Sequence, residues 1–419
     1  MWKKVFKNRD VRNRCHIYRM LQSQGKHLSF HTPGHKQNGW DITELSYADN
    51  LSSPTGCIAK AQKDIAEILG AERSFILTDG STSGVFSMLH AFVLAGCTSL
   101  AIPTFSHKSV KNGCTLCGIT PIFYTAEELQ TPQTILQKAD GLLIVSPDYY
   151  GHIPDLQAIQ KACQDVGKPL LCDGAHGGHL HADKTRHAGS VADMWVDGVH
   201  KSLPAFTQGA VVSAKTETWA KRLQESVDIF RTTSPSYPIM ASVEYAVKYP
   251  ANPRLEERVR ARAKHSERWL VQDDWTKLVI RVGKAAFVWQ ADLEKQGIYA
   301  EFCDGENVMF YLSPASTLRQ WNTLCKAIEK TLKKYSYEEV ERSPAPVFLD
   351  GNGETELVDL ACAVGRVCQK DCGLFPPCTT LIAKGEKITK EKIRVLQAAE
   401  HTFGLTDGKI TVLKADTEE

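Results

Sequence analysis

The chain has 419 residues, 42% of them hydrophobic and 23% charged, which is the make-up of an ordinary globular protein of two or three domains. Its 50 basic and 48 acidic residues leave a formal net charge of +2, so nothing in the balance points to nucleic acid or an anionic membrane. No apolar run approaches the roughly 18 residues of a membrane span.

The first segment, MWKKVFKNRDVRNRCHIYRML, is basic but lacks the apolar core of an export leader. It reads as an amphipathic arm with Val5, Ile17 and Leu21 as its apolar positions. The expected location is the cytoplasm, where the thirteen cysteines would be reduced thiols. Cys114 and Cys117 form a lone CxxC, and Cys362, Cys368, Cys372 and Cys378 crowd a second stretch. Zinc sites usually pair two such knuckles, so small core thiols are the expected reading and no metal is assigned.

From about Gly70 to Lys215, strand-like and helix-like segments alternate. RSFILTDG is a strand, STSGVFSMLHAFVLA a helix, SLAIPT a strand, SHKSVKNGCTLCG a helix and TPIFY a strand. DGLLIVSP is a strand, PDLQAIQKACQDVG a helix, and KPLLCDGAHG and ADMWVDG are strands. Such units predict a mostly parallel sheet covered by helices, with ligands bound beyond the carboxyl ends of the strands. Past TTSPSYP the alternation stops. EERVRARAKHSERWL reads as a charged helix, KLVIRVG, AAFVWQ and ENVMFYLS as strands, TLRQWNTLCKAIEKTLKKY as a long helix and TELVDLACAVGRVC as another helix. The expected division is an N-terminal arm (1–44), a large domain (45–260) and a smaller α/β domain (261–419).

The strand exits carry the chemistry. TDGSTSG after the first strand offers free backbone N–H groups and the hydroxyls of Ser81 and Thr82, which suits a phosphate, although the same residues make a plain helix cap. His107 follows the second strand and could stack on a planar ring or lie on the surface. Asp173, ending the apolar run PLLC, needs a cation or several donors. Lys201, with His200 beside it, follows DMWV; it is either a solvated surface lysine or one that something uses. A phosphate cradle, a stacking group, a carboxylate and a lysine are together what pyridoxal 5'-phosphate needs: a helix N-terminus, a flat neighbour, a partner for the pyridine N–H and an amine for its aldehyde.

The chain resembles the bacterial ornithine/lysine/arginine decarboxylases, pyridoxal-phosphate enzymes of the aspartate-aminotransferase fold. The resemblance rests on HTPGHKQNG, on the stretch from DITELSYADN to DGSTSG, and on SHKSVKNG, PDYYG, DGAHGGH, VHKSLPAFTQGA and RTTSPSY. It implies a fold-type-I α/β protein, a short or divergent member, that decarboxylates a basic amino acid toward polyamine biosynthesis. It implies Lys201 as the cofactor-carrying lysine, Asp173 as the partner of the pyridine nitrogen and His107 as the stacking group and a proton relay. Ser81, Thr82, His176 and His200 become cofactor contacts, and Thr232 and Thr233 contacts contributed across a homodimer interface. Glu386 becomes the carboxylate for the substrate's basic end. An aminotransferase or lyase would instead need an arginine clamp, with Arg366 or Arg394 as candidates, and a non-catalytic homologue is a third reading.

Departures from the family pattern are Asp79 where Asn is usual, Gly198 where a hydroxyl is common, and Gly174 in place of Glu. In LFPPCTTLIAKGEKI, Phe375, Cys378 and Lys384 stand at altered positions while Glu386 is retained.

Overall fold

The computed structural model describes residues 5–23, 28–36, 39–340, 347, 349, 353–375 and 379–414. The N-terminal arm forms two short helices, α1 (Arg9–Arg12) and α2 (His16–Gln22). Phe6, Val11, Ile17 and Leu21 are buried there in one core with the sheet that follows. Buried Glu244 accepts hydrogen bonds from the backbone N–H groups of His16 (2.6 Å) and Ile17 (2.9 Å), which fixes the start of α2.

The central sheet has seven strands: β1 (Arg73–Leu77), β2 (Ser99–Pro103), β3 (Thr120–Tyr124), β4 (Gly141–Val145), β5 (Leu170–Gly174), β6 (Met194–Asp197) and β7 (Ala210–Ala214). Their order is β1-β7-β6-β5-β4-β2-β3. β6, β5, β4, β2 and β3 pair in parallel, whereas β7 is antiparallel to both its neighbours, β6 and β1. Two reversals leave β1 running in the same sense as β6. The carboxyl ends of β1, β6, β5, β4 and β2 therefore share one edge, and the residues after them converge.

The helices between and after these strands are α3 (Cys57–Leu69), α4 (Ser81–Leu94), α5 (Lys108–Cys117), α6 (Pro132–Leu136), α7 (Leu156–Asp165), α8 (Val199–Ser202), α9 (Glu217–Phe230) and α10 (Tyr237–Val247). Strands buried on both faces need two cores, and two are present. One gathers Ile76, Ile144, Cys172 and Val211 with α2, α3, α7 and α10. The other gathers Leu77, Leu143, Leu171 and Val196 with α4, α5 and α9.

Beyond α11 (Pro253–Ala263), β8 (Trp269–Val271), β9 (Lys277–Arg281), β10 (Phe302–Cys303) and β11 (Asn307–Tyr311) form an antiparallel sheet in the order β10-β11-β9-β8. It is backed by α12 (Ala286–Glu294) and α13 (Leu318–Leu332) in a core of their own. Two small sheets follow, β12 (Thr355–Asp359) with β16 (Lys409–Leu413), and β13 (Cys372–Leu374) between β14 (Thr379–Ile382) and β15 (Thr402–Phe403). They pack with α14 (Lys390–Ala398) around a further core.

Two expectations fail here. AAFVWQ is not a strand: Ala286, Trp289 and Leu293 are buried at helical spacing in α12. TELVDLACAVGRVC is not one helix: its first five residues pair antiparallel with β16 as β12, and Leu360–Cys362 is a single 3-10 turn. Seven of the thirteen cysteines, Cys15, Cys114, Cys163, Cys172, Cys303, Cys368 and Cys372, are buried free thiols in these cores. Cys378 lies outside the described residues.

Candidate active site

A cavity of about 240 Å³ opens at the shared edge of the sheet. Of the site residues expected from the sequence, Ser81, Thr82, His107, Asp173, His176, His200 and Lys201 all line it.

The anion end is built first by the chain. Gly80 leaves β1 with φ +90°, a conformation that glycine adopts readily, and caps α4 without a side-chain hydrogen bond. The first N–H groups of this 14-residue helix are thus left for a ligand, with the Ser81 and Thr82 side chains beside them. Gly80 N–H donates to Gln208 O at 2.9 Å, which ties the turn to the loop after Lys201.

Asp79 explains itself. Its carboxylate does not line the cavity; it accepts from Ser83 Oγ at 2.8 Å and from the Thr232 backbone N–H at 3.1 Å. A carboxylate facing the cavity would repel a phosphate; this one instead binds the segment after α9 to the turn. Thr232 and Thr233 do not line the cavity of their own chain; Thr233 is exposed, and Thr232 Oγ1 accepts from Ser234 N–H at 3.2 Å.

Asp173, one residue before the end of β5, is buried, with Oδ1 accepting from Ala175 N–H at 3.1 Å. His107 caps α5: its Nδ1 accepts from Ser109 N–H at 3.1 Å, which places the ring proton of the neutral imidazole on Nε2. Burial chiefly lowers the His107 pKa to about 4, with Lys201 acting the same way and Asp173 opposing. Lys201 Nζ stands 3.1 Å from His176 Nε2. His176 is held well below the ordinary histidine range, first by burial and then by the charges of Lys201 and Lys277. It is therefore a neutral acceptor for the lysine ammonium. His200 lines the cavity while its Nδ1, 2.9 Å from Gly209 O, ties α8 to the start of β7.

The departures at glycine have a steric reason. A Cβ on Gly198 would lie 2.4 Å from Ala175 O, and one on Gly174 would lie 2.9 Å from Val196 O. In this backbone neither position accepts a larger residue without movement, so no hydroxyl can simply be restored at Gly198.

Glu386 is a correction. It is buried in the last core, ion-paired with Lys392 and accepting from Ala383 N–H at 3.0 Å, and it does not line the cavity. Arg366 is likewise engaged, with Glu356 Oε1 and Leu413 O each 2.6 Å from its Nη2, and Arg394 is exposed. Neither lines the cavity as a carboxylate clamp would.

Sequence reasoning missed Thr207, Gln208, Tyr149 and Val145, which line the cavity with Ser109 and Ala175. The tight Thr-Gln-Gly turn after the lysine was a signal for the first two; Gln208 adopts a positive φ of 74° to present its carbonyl to Gly80. Tyr149 sits in PDYYG and meets the His176 ring edge-on at 4.6 Å between centroids. Behind it lies a buried polar group that nothing in the local sequence announced. Lys277 is fully buried, 3.5 Å from Asp274 and 4.1 Å over the Tyr311 ring, while Asp274 is 2.9 Å from His179 Nε2.

The family model described as Orn/Lys/Arg decarboxylase, major domain, matches residues 34–138 and 128–279, more than half of the chain. The Bacillus subtilis (strain 168) protein YaaO is 28% identical over 435 residues, covering 88% of this chain and 90% of that protein. An arginine decarboxylase of Halalkalibacterium halodurans is 26% identical over 456 residues, covering 91% of this chain and 92% of that protein. Among solved structures, the Francisella novicida lysine decarboxylase superposes with a TM-score of 0.72 at 18% identity, covering 96% of this chain and 81% of that one, a likeness of fold.

Proposed function

The chain belongs to the Orn/Lys/Arg decarboxylase family, and on that premise we propose that it is a pyridoxal-phosphate-dependent decarboxylase of a basic amino acid: lysine, arginine or ornithine. The observation that carries the reading is the convergence of the α4 N-terminus, Asp173, His107 and Lys201 on one cavity. The fit of the cofactor rests on these groups. The uncapped helix end with Ser81 and Thr82 suits the phosphate. Asp173 suits a protonated ring nitrogen, and His107 offers a flat wall. His176 Nδ1 is buried on the lining without a hydrogen-bond partner among the described residues. When bound, the cofactor would supply an aromatic cation that accepts the electron pair left as CO2 departs.

The chain's own residues do the rest. Lys201 supplies the amine that anchors the cofactor and is displaced by the substrate amine. Neutral His176 holds the Lys201 ammonium at Nε2 and can take up a proton there when the amine must be free. His107 presents a proton at Nε2 for return to the substrate carbon. Tyr149 and Val145 form the apolar side of the cavity and limit water around a departing carboxylate.

We also propose that residues 45–260 act as the cofactor domain and 261–419 as the part that completes the substrate side, with 1–44 as the arm. The separate core behind β8–β11 supports this, although Leu255 and Val259 of α11 already belong to it. The test is a screen of lysine, arginine and ornithine with pyridoxal phosphate present, reading CO2 and amine together, followed by borohydride reduction and peptide mapping. Stoichiometric amine and CO2, with the reduced cofactor on the Lys201 peptide, is the expected result. No turnover of any basic amino acid, or trapping on another lysine, would overturn the reading.

A further inference from the structure

Lys277 is a buried cation that the proposed chemistry does not use. It opens β9 with no exposed surface, and an ammonium so placed is costly unless charge and hydrogen bonds answer it. Asp274 answers it only in part. Its Oδ1 accepts from Thr276 N–H at 2.9 Å and from Thr276 Oγ1 at 2.7 Å, and lies 2.9 Å from His179 Nε2. Its Oδ2, 3.5 Å from Lys277 Nζ, has no hydrogen-bond partner among the described residues. Thr276 Oγ1 accepts from Nζ at 3.3 Å.

The register of the second sheet gives the ammonium a further neighbour. Lys277 pairs across strands with Tyr311 of β11, and Nζ stands 4.1 Å over the centroid of that ring, the geometry of a cation–π contact. Tyr311 in turn meets the His176 ring edge-on at 5.5 Å between centroids, and its hydroxyl donates to Tyr149 O at 2.9 Å. Tyr149 packs on the same imidazole. The turn that carries Tyr149 lies directly on the lysine stem. Gly151, at φ +92°, comes so close that a Cβ there would lie 3.0 Å from Lys277 Cβ, and its carbonyl accepts from Asp274 N–H at 2.9 Å. Contact therefore runs unbroken from Lys277 through Tyr311 to His176, and from His176 Nε2 across 3.1 Å to Lys201 Nζ.

We infer that Lys277 is a positioning residue of this site: a fixed positive charge that the second sheet holds behind the Tyr311 ring and that acts on the His176–Lys201 pair. Besides burial, the groups that bear on His176 are Lys201, Lys277, His107 and His200, and the charge of each opposes a proton there. A cation in this place makes protons on the imidazole and on the neighbouring lysine nitrogen easier to lose. That suits an amine that must attack the cofactor's aldehyde. The inference rests on the reading of the protein as a pyridoxal-phosphate enzyme, but its test does not depend on turnover. The proton at the link between Lys201 and the cofactor changes the visible absorbance, so a spectrophotometric pH titration of the cofactor-loaded protein reads the local charge. Lys277→Met removes that charge, and Lys277→Gln is the milder change, since it keeps a donor for Asp274 and Thr276. Both should raise the midpoint of the titration by about one pH unit. Tyr311→Phe, which keeps the ring, should leave the midpoint in place. A destabilised Lys277→Gln protein with the wild-type midpoint would overturn the inference and leave Lys277 a purely structural lysine. An equal upward shift in Tyr311→Phe would overturn it too, because the midpoint would then report loosened packing rather than charge. A wild-type protein that gains no visible absorbance with pyridoxal phosphate would overturn the cofactor reading and this inference with it, whereas an absorbing protein whose midpoint ignores Lys277 overturns the inference alone.

Discussion

Lys201 Nζ and His176 Nε2 lie 3.1 Å apart, and the two residues come from the exits of adjacent parallel strands, β6 and β5. The pair exists because those strands share a register, Asp173 opposite Val196 and Gly174 opposite Asp197. The short turns beyond them then bring the side chains together. A lysine in this position meets a neutral acceptor rather than a second cation, since burial and the neighbouring ammonium groups keep His176 unprotonated.

The same enclosure sets an acid limb of stability. The folded-state value of His107, about 4, lies below its ordinary 6.5. As pH falls, the unfolded chain therefore takes up the proton first. This contribution to stability is complete above about 6.5 and is lost as pH falls through 4. His107→Phe should remove part of the decline, on the order of 3 kcal/mol between neutral pH and pH 4. Urea midpoints at pH 7 and pH 4.5 check this; parallel losses in both proteins would contradict it.

The cavity was legible in the sequence because its parts follow apolar runs, and an apolar run of four or five residues in this alternation is a buried strand. Asp173 after LLC and Lys201 after MWVD are cases in point. What was not legible depended on partners distant in the chain. Leu357, Leu360, Ala361 and Val364 mimic a helical stripe, but pairing with Lys409–Leu413, some fifty residues on, makes the first part a strand with Leu357 exposed. Glu386 is the exception, since its partner Lys392 is only six residues on; it looked available because the turn into α14 that folds the two together was not read from the sequence.

Gly198→Ser separates sequence logic from steric logic. By family likeness it would add a phosphate donor. With the new Cβ 2.4 Å from Ala175 O, the backbone between β5 and β6 must instead shift. The variant should lose about 1–3 kcal/mol of stability and bind pyridoxal phosphate more weakly. Thermal unfolding and cofactor titration read both, and tighter binding without loss of stability would show that the strand exits give way freely.

Lys277 and Asp274 are both fully buried, and each answers the other's charge. Burial alone would raise the Asp274 carboxyl, but the His179 and Lys277 charges outweigh it and hold it below the ordinary carboxylate range. Lys277→Met should therefore destabilise the protein by about 3–5 kcal/mol, because Asp274 loses its ammonium partner. Adding Asp274→Asn should restore part of the loss, since the uncompensated charge is then gone. Denaturant unfolding of both single variants and the double variant measures the coupling. Additive effects would mean that the pair acts separately.

The segment Thr232–Ser234 gives the last expectation. Asp79 holds its start against the phosphate turn of its own chain, while Thr233 and Ser234 remain exposed and outside that chain's cavity. A hydroxyl-rich loop fixed at one end and open at the other is suited to complete the cavity of a second copy. If it does, cofactor affinity and dimer formation are coupled, because a ligand bound only by the dimer stabilises the dimer. Lys201→Ala subunits and Thr232→Val/Thr233→Val subunits should each bind the cofactor poorly alone. Mixed dimers then contain one site with both an intact lysine and intact hydroxyls, and binding should recover in part. Visible absorbance of the mixture against its two parents reads that recovery, and sedimentation reports the assembly. A monomer that binds pyridoxal phosphate stoichiometrically would refute a shared site. Mixed dimers that bind no better than the average of their parents would return Thr232 and Thr233 to the role of a turn.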